Sequence, residues 1–346
     1  MCRPFLLVGA LFSCIKSGLA QTAPPGSGST SIFAPVSTPA TSIYGLSLFV
    51  LAVTGTIFIV VFGMLLYAAV KFRRRSGDNR REPLQIYGSD QLELAWTVIP
   101  VLIVLVLFMT SARVIHKVQD ARRPPGAIEV TVIGHQFWWE YRYPRYGFVT
   151  ANELHVPVSD PANPTPTFLE LLSADTDHSF WIPRLAGKTD LIPNHPNSMW
   201  IEPQETGTFL GQCAQYCGTQ HAKMLLRAYV ESRDDFERWV KAQQQAVPQN
   251  TPLSPEAAEG REIFNSTACI NCHAISGTVA NGLFGPNLTH LMSRDTIASG
   301  IAVNTSANLR LWIHDPAAMK PGALMPAMNL TERDLDAVTA YMLTLH

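Results

Sequence analysis

Residues 213–224 read Cys213-Ala214-Gln215-Tyr216-Cys217-Gly218-Thr219-Gln220-His221-Ala222-Lys223-Met224. Two thiols, an imidazole and a thioether fall within a dozen positions, and all are soft or borderline ligands. Thiolate and thioether favour copper, and imidazole suits it as well. A mononuclear copper site needs one Cys, whereas here a second stands four residues from the first. Two thiolates that close can bridge a pair of copper ions, with His221 on one and Met224 on the other. A Cys213–Cys217 disulfide is the plain alternative in an oxidising compartment, and His221 and Met224 in step with the pair argue against it. The stretch lacks a second imidazole. His135, His155, His178 and His195 are the upstream candidates, and spacing does not choose among them. His178, at the end of a predicted strand 35 residues before Cys213, fits the habit of one ligand on an early strand and the rest on a late loop.

Working outward, residues 128–230 have the pattern of short strands. Ile128 to Ile133 alternates, Phe137 to Tyr143 is aromatic, and Phe168 to Leu172 is a further candidate, with Pro, Asn, Asp and Gly between them. About a hundred residues of this kind suggest a compact β-sandwich or barrel. Asp234 to Gln245 reads as a closing helix, and the Pro-rich run 246–255 as a linker and domain boundary. Beyond it Ser254 caps a helix with Pro255 in the first position. That helix delivers Cys269-Ile270-Asn271-Cys272-His273, the attachment signature of c-type haem. Cys269 and Cys272 would form thioethers and His273 would be the proximal ligand. A zinc or redox CxxC pair is the alternative, which the adjacent His disfavours. Met319, Met325 and Met328 compete as sixth ligand. Met325 is favoured because Pro326 stiffens its loop, although Met is also ordinary core filler. A Met/His pair points to electron transfer, because it leaves no open site on iron. A last helix runs from a Thr331 cap through Leu345, so this part reads as a small all-α haem domain.

The N-terminal third has a different character. Residues 1–20 look like a secretory signal, with Arg3, an apolar run and Gly18-Leu19-Ala20 before Gln21. A loose lipoprotein box ending at Cys14 is a second reading of the same leader. Residues 21–41, rich in Ser, Thr, Pro, Ala and Gly, read as a flexible linker. Ile43 to Val70 is uncharged and exceeds the roughly 20 residues that cross a bilayer, and Ala95 to Ala112 is just long enough. Lys71, Arg73, Arg74, Arg75, Arg80 and Arg81 between them mark the cytoplasmic loop. Arg113, Lys117, Arg122 and Arg123 beyond the second span weigh the other way, but nothing between the leader and the first span is basic. The result is a hairpin with both ends outside. Glu93, just before the second span, has the position of a solvated flank, and a proton-path role is the alternative.

Composition agrees. The 346 residues have a net charge of −1, which suggests no nucleic acid, and 47% hydrophobic against 15% charged residues lean toward a membrane protein. Six cysteines fall in three pairs, and with the leader removed none remains for a structural disulfide.

Several motifs occur together: Leu92-Glu93-Leu-Ala-Trp96-Thr-Val-Ile-Pro100, Gly134-His-Gln-Phe-Trp-Trp-Glu-Tyr, Asp177-His178-Ser-Phe, Lys188-Thr-Asp190-Leu-Ile-Pro193, and Cys213 to Met224. The C-terminal part adds Gly285-Pro-Asn-Leu, Asp315-Pro and Pro321-Gly-Ala-Leu-Met325-Pro. With these the chain resembles subunit II of haem–copper cytochrome c oxidases, in the variety with a fused C-terminal cytochrome c domain. The resemblance implies a multidomain fold: a two-helix transmembrane hairpin (42–116), a cupredoxin-like β-barrel (125–245), a linker (246–253) and an all-α class I cytochrome c (254–346). It implies a binuclear copper centre, CuA, with His178 and His221 as terminal imidazoles, Cys213 and Cys217 bridging, Met224 binding weakly and the Gln215 carbonyl completing the set. It further implies one covalent haem c on Cys269 and Cys272 with His273 and Met325 axial. Glu93 resembles the carboxylate at the mouth of a proton path.

Two departures stand out. Relatives often have Glu where this chain has neutral Gln215, which speaks against an interface magnesium. Phe137 replaces a Trp that receives electrons from free cytochrome c, leaving Trp138 and Trp139 beside it as further electron-receiving aromatics. The implied activity is that of a cytochrome-c oxidase subunit without the oxygen site. Electrons would pass from a donor cytochrome or upstream respiratory complex through haem and CuA to subunit I, with subunit III and membrane lipid as further partners. The copper and haem domains would face the periplasm of a bacterial inner membrane. A CuA subunit of a nitric oxide reductase, and a membrane-anchored shuttle without an enzyme partner, are the rival readings.

Overall fold

The computed structural model describes residues 30–73, 85, 87–119, 123, 126–247 and 252–346. The expected leader, Cys14, residues 21–29 of the expected linker, Arg74, Arg75, Arg80, Arg81, Arg122 and residues 248–251 of the later linker lie outside the described residues.

Two long helices come first, α1 (Thr38–Lys71) and α2 (Asp90–Gln119), with mean hydropathies of 2.6 and 2.5 in their most apolar windows. At 1.5 Å per residue, α1 is roughly 50 Å long, more than the roughly 30 Å of bilayer hydrocarbon. From Leu48 onward most of its large apolar side chains are exposed, as lipid-facing helices require. Both helices outrun the apolar runs that announced them, because the polar residues flanking each run continue the helix. Pro39 sits in the first turn of α1, where its missing N–H is no loss.

The linker expectation needs correction over 30–41. Thr38 already begins α1, and Val36, Ser37 and Ala40 are buried. The Val36 N–H donates to Arg184 O (3.0 Å), and Ser37 Oγ accepts from Glu202 N (2.9 Å). These partners are some 150 residues away in sequence, so composition alone could not reveal them.

The middle of the chain folds into ten strands: β1 (Ile128–His135), β2 (Trp138–Tyr143), β3 (Phe148–Ala151), β4 (Glu153–Pro157), β5 (Thr167–Ser173), β6 (His178–Trp181), β7 (Thr189–Leu191), β8 (Asn197–Ile201), β9 (Gly207–Cys213) and β10 (Leu225–Glu231). They form two five-stranded sheets, ordered β3-β2-β1-β5-β8 and β4-β10-β9-β6-β7. Period-two burial puts Val130 and Val132, Leu169 and Leu171, and Ala228 and Val230 inward with Trp139, Tyr141 and Phe180. Helix α3 (Arg233–Gln243), capped by Ser232 Oγ accepting from Asp235 N, closes the barrel with Phe236 and Val240. The barrel grips the hairpin as well, since the Trp200 indole N–H on β8 donates to Val118 O near the end of α2 (2.6 Å).

The C-terminal part contains α4 (Pro255–Ser266), α5 (Cys269–Cys272), β11 (Thr296–Ile297), β12 (Ala302–Val303), α6 (Ser306–His314), α7 (Pro316–Met319) and α8 (Glu332–Met342). Ser254 and Thr331 cap α4 and α8 as expected. Helices α4 and α8 cross at Gly260, where a Cβ would lie 1.9 Å from Ala337 O. The all-α expectation is amended by β11 and β12, two residues each and too short for any periodicity. The turn between them places Ala298, Ser299 and Gly300 at positive φ and reaches the barrel, with Ser299 Oγ donating to Leu225 O at 2.9 Å.

Candidate copper and haem sites

Four elements bring the copper donors together. Cys213 ends β9, Cys217 sits in the loop beyond it, His221 opens a 3₁₀ turn (His221–Lys223), and Met224 follows fully buried. The loop is closed by Cys213 N donating to Met224 O at 2.9 Å. His178 arrives from the opposite side. It opens β6 rather than ending a strand, because β5 stops at Ser173 and residues 174–177 make the turn. Pairing of β6 with β9 sets Phe180 across from Cys213.

The resulting separations are short. Cys213 Sγ lies 3.9 Å from Cys217 Sγ, 3.9 Å from His178 Nδ1 and 3.1 Å from Gln215 O. Cys217 Sγ lies 3.8 Å from His221 Nδ1 and 3.9 Å from Met224 Sδ. Cys213 and Cys217 are free thiols, so the disulfide alternative is not what the structure holds. Every donor named from the sequence is therefore present in one cluster, including the carbonyl of Gln215.

The other three histidines lie elsewhere. His135 stacks on Trp138 (4.2 Å) with Nε2 3.1 Å from Glu140, His155 is stacked between Tyr229 and Trp239, and His195 is exposed.

Electrostatics favour a bound cation. Hydrogen bonding to Cys217, outweighing burial, and contacts to His178 and the backbone lower the Cys213 thiol, while the shared proton and burial raise Cys217. The pair gives up one proton readily and holds the second until a cation compensates it. Burial pushes the His178 imidazole down, but Asp175 and Cys213 outweigh it and raise the group. Asp175 Oδ1 stands 2.8 Å from His178 Nε2, fixing the ring with Nδ1 toward Cys213. Asp175 also accepts from Gln136 N (2.6 Å). Asp175 was missed in the sequence, although a carboxylate three residues before a candidate ligand was a usable signal.

The haem motif lines a largely apolar cavity. Cys269, Cys272 and His273 border it with Phe264, Leu309 and Met325. Met328 also lines it, whereas Met319 does not. His273 Nδ1 donates to Pro286 O at 2.7 Å, leaving Nε2 available as a metal ligand. Burial holds this imidazole below its ordinary range, and hence neutral, despite that bond. Gly285 cradles the ring, since a Cβ there would lie 2.6 Å from His273 Cε1. Phe137, Trp138 and Gln220 of the barrel reach the same cavity. Trp139 does not; it is fully buried 6.1 Å from the His178 ring.

Glu93 lies in the first turn of α2, exposed. At 1.5 Å per residue, some 26 residues put it roughly 40 Å from the barrel end of the helix.

Comparisons with known proteins agree with this arrangement. The family described as cytochrome c oxidase subunit II, transmembrane domain, matches residues 29–114, and its periplasmic domain matches 161–230. The family described as cytochrome c matches 257–346. Cytochrome c oxidase subunit 2 of Alkalihalophilus pseudofirmus is 35% identical over 308 residues, covering 88% of this chain and 87% of that protein. Its namesake from Bacillus sp. (strain PS3) is 36% identical over 291 residues, covering 79% and 80%. The solved periplasmic domain of subunit II of cytochrome oxidase from Bradyrhizobium japonicum is 28% identical, covering 36% of this chain and 97% of that one at a TM-score of 0.33. The Cys, His and Met donors around 178–224 and the cavity beside His273 fit the copper and haem that these domain families imply. With two apolar helices, a cupredoxin-like β-domain and a C-terminal haem domain in this order, the chain belongs to the cytochrome c oxidase subunit 2 family, in a form that carries a cytochrome c domain.

Proposed function

We propose that the chain is the electron-receiving subunit of a terminal cytochrome c oxidase. Its domains are a hairpin (42–116), a copper domain (125–245) and a haem domain (254–346). Cys213 and Cys217 would bridge two copper ions, with His178 and His221 terminal, Met224 weak and the Gln215 carbonyl completing the set. Cys269 and Cys272 would hold a covalent haem c, with His273 and Met325 axial. Bound there, the two groups supply one-electron relay. The chain passes electrons on to the oxygen-reducing haem and copper of subunit I, coupled to proton translocation.

The observation that carries this reading is the single cluster of six donors, joined through Cys213 and Cys217 by five separations of 3.9 Å or less. The short reach from that cluster to the haem cavity adds to it: Gln136 Nε2 donates to Cys217 O (2.6 Å), and Phe137 lines the cavity. Phe137 and Trp138 are thus the aromatics between the cofactors, while Trp139 supports His178.

Glu93 takes the mouth of a proton path into subunit I, at the hairpin end remote from the copper. Lys71 and Arg73 at the end of α1 support a cytoplasmic position for that end and a periplasmic one for both soluble domains. Subunits I and III, a donor cytochrome and the lipid bilayer are the partners. A neutral Gln215 disfavours a magnesium ion at the interface.

Metal analysis and spectroscopy of the purified full chain test the reading. Two coppers and one haem that stays attached on denaturation are expected per chain. A single copper, or a haem lost on denaturation, overturns it.

A further inference from the structure

The loop that carries Met325 and the loop that carries Cys217 and His221 meet at the seam between haem domain and barrel. Gln220, adjacent to His221 and 2% exposed, reaches across it. Its Nε2 donates to Lys320 O (2.8 Å) and to Pro321 O (3.0 Å). Lys320, also 2% exposed, returns the contact through Nζ, which donates to Phe137 O at 2.9 Å. The Phe137 ring in turn packs on the copper loop, since a Cβ on Gly218 would lie 3.0 Å from it. The two loops approach once more at Gly322, where φ is +83° and a Cβ would lie 2.9 Å from Thr219 Oγ1.

An amide nitrogen carries two hydrogens, and both of Gln220's face the stretch that leads into Met325. A buried amine and a buried amide are costly unless bonded, so nothing in simple packing asks for them here. The seam has other attachments. Glu153 accepts from Thr296 N (2.9 Å) and Thr296 Oγ1 (2.8 Å), and Tyr229 OH donates to Asp295 Oδ2 (2.7 Å). Docking as such therefore does not depend on Gln220 and Lys320; what they add is registry between the two cofactor loops.

We propose that Gln220 and Lys320 are positioning residues that lock the Met325 loop to the copper loop and so set the rate of electron transfer between the cofactors. The inference rests on the haem and copper reading above. With both groups bound, the chemistry they would supply is a one-electron exchange in which the haem would be oxidised and the copper pair reduced, with no bond made or broken. Transfer of this kind depends steeply on how the two sites are held, and a supporting shell loosened by an ångström is enough to degrade a site.

The test uses the full chain in the assembled oxidase, with Gln220→Leu and Lys320→Met as variants and Lys320→Arg as the conservative exchange. Photoreduction of the haem followed at the copper absorption gives the internal rate. A loss of the internal rate is expected for the first two variants, with haem and copper bands and potentials unchanged and with a new dependence on solvent viscosity. Lys320→Arg is expected to restore most of the rate. Amide hydrogen exchange gives a readout that needs no electron transfer: the Lys320 and Ala323 amides should exchange faster in both variants. Unchanged rates and exchange in both overturn the proposal, and so does loss of either cofactor band in both, which would mark a folding role alone. If the unsubstituted chain itself lacks two coppers or a covalent haem, the functional reading has failed, and this inference falls with it.

Discussion

A Cβ placed on Gly134 of β1 would stand 2.8 Å from Cδ2 and 2.9 Å from Cγ of the His178 imidazole. The ring therefore occupies the space that any larger residue at 134 would need. Gly134→Ala must push either the ring or the strand, and overpacking of this kind costs about 1–3 kcal/mol. We predict a lower thermal midpoint together with weaker copper binding, read by copper titration of the full chain. Unaltered copper binding would show that the ring has slack.

Asp175 acts on the same ring from its other nitrogen. Burial pushes this carboxyl up, but bonds from His178, Gln136 N and Thr176 N outweigh it and hold the group below its usual range. Asp175→Asn keeps the shape and removes the charge. Partners of this kind typically contribute about 10–100-fold in metal affinity, so competition with a chelator should show copper lost by that factor. Wild-type retention would assign Asp175 to the turn alone.

Met325 and Met328 both line the haem cavity, and only one can complete the iron ligands. A Met/His pair raises the iron potential. Met325→Leu is expected to lower the haem potential and abolish the sulfur-to-iron absorption band, whereas Met328→Leu should leave both in place. The opposite pattern would reassign the ligand to Met328.

Glu140 supplies a pH dependence with a definite sign. Burial raises its carboxyl, but His135 and Arg142 outweigh this and hold it below its ordinary value of 4.5. Between the folded and unfolded values the unfolded chain binds more protons. The stabilisation is therefore complete above about pH 4.5 and is lost as pH falls through the folded value. Thermal unfolding of the full chain should show a falling midpoint on that acid limb, and Glu140→Gln should flatten it. An equally steep limb in the variant would place the titration elsewhere.

The donor set of the copper cluster was legible because Cys, His and Met have few other reasons to crowd into a dozen residues. Strand positions 128–133 and 168–172 and the caps Ser254 and Thr331 were legible because their signals are local. His178 was not separable from three other histidines by spacing, since its selection depends on β6 pairing with β9 across an intervening 30 residues and on the space left by Gly134. Residues 30–41 read as linker for a similar reason, because Val36 finds its hydrogen-bond partner at Arg184, in the turn after β6. Gln220 and Lys320 carry no motif at all. They are 100 positions apart, and only the docking of one domain on another gives them a meaning.

Trp200 and Glu202 lie two positions apart, one bonded to Val118 of α2 and the other to Thr38 of α1. Both legs of the hairpin are thus hinged to one edge of the barrel at neighbouring points, which removes the swivel that a single tether would leave. The haem domain is fastened to the same barrel by its own bonds, from Thr296 to Glu153 and from Tyr229 to Asp295. Held at two points and not one, the barrel carries the cluster around Cys213 and Cys217 at one attitude relative to both helices.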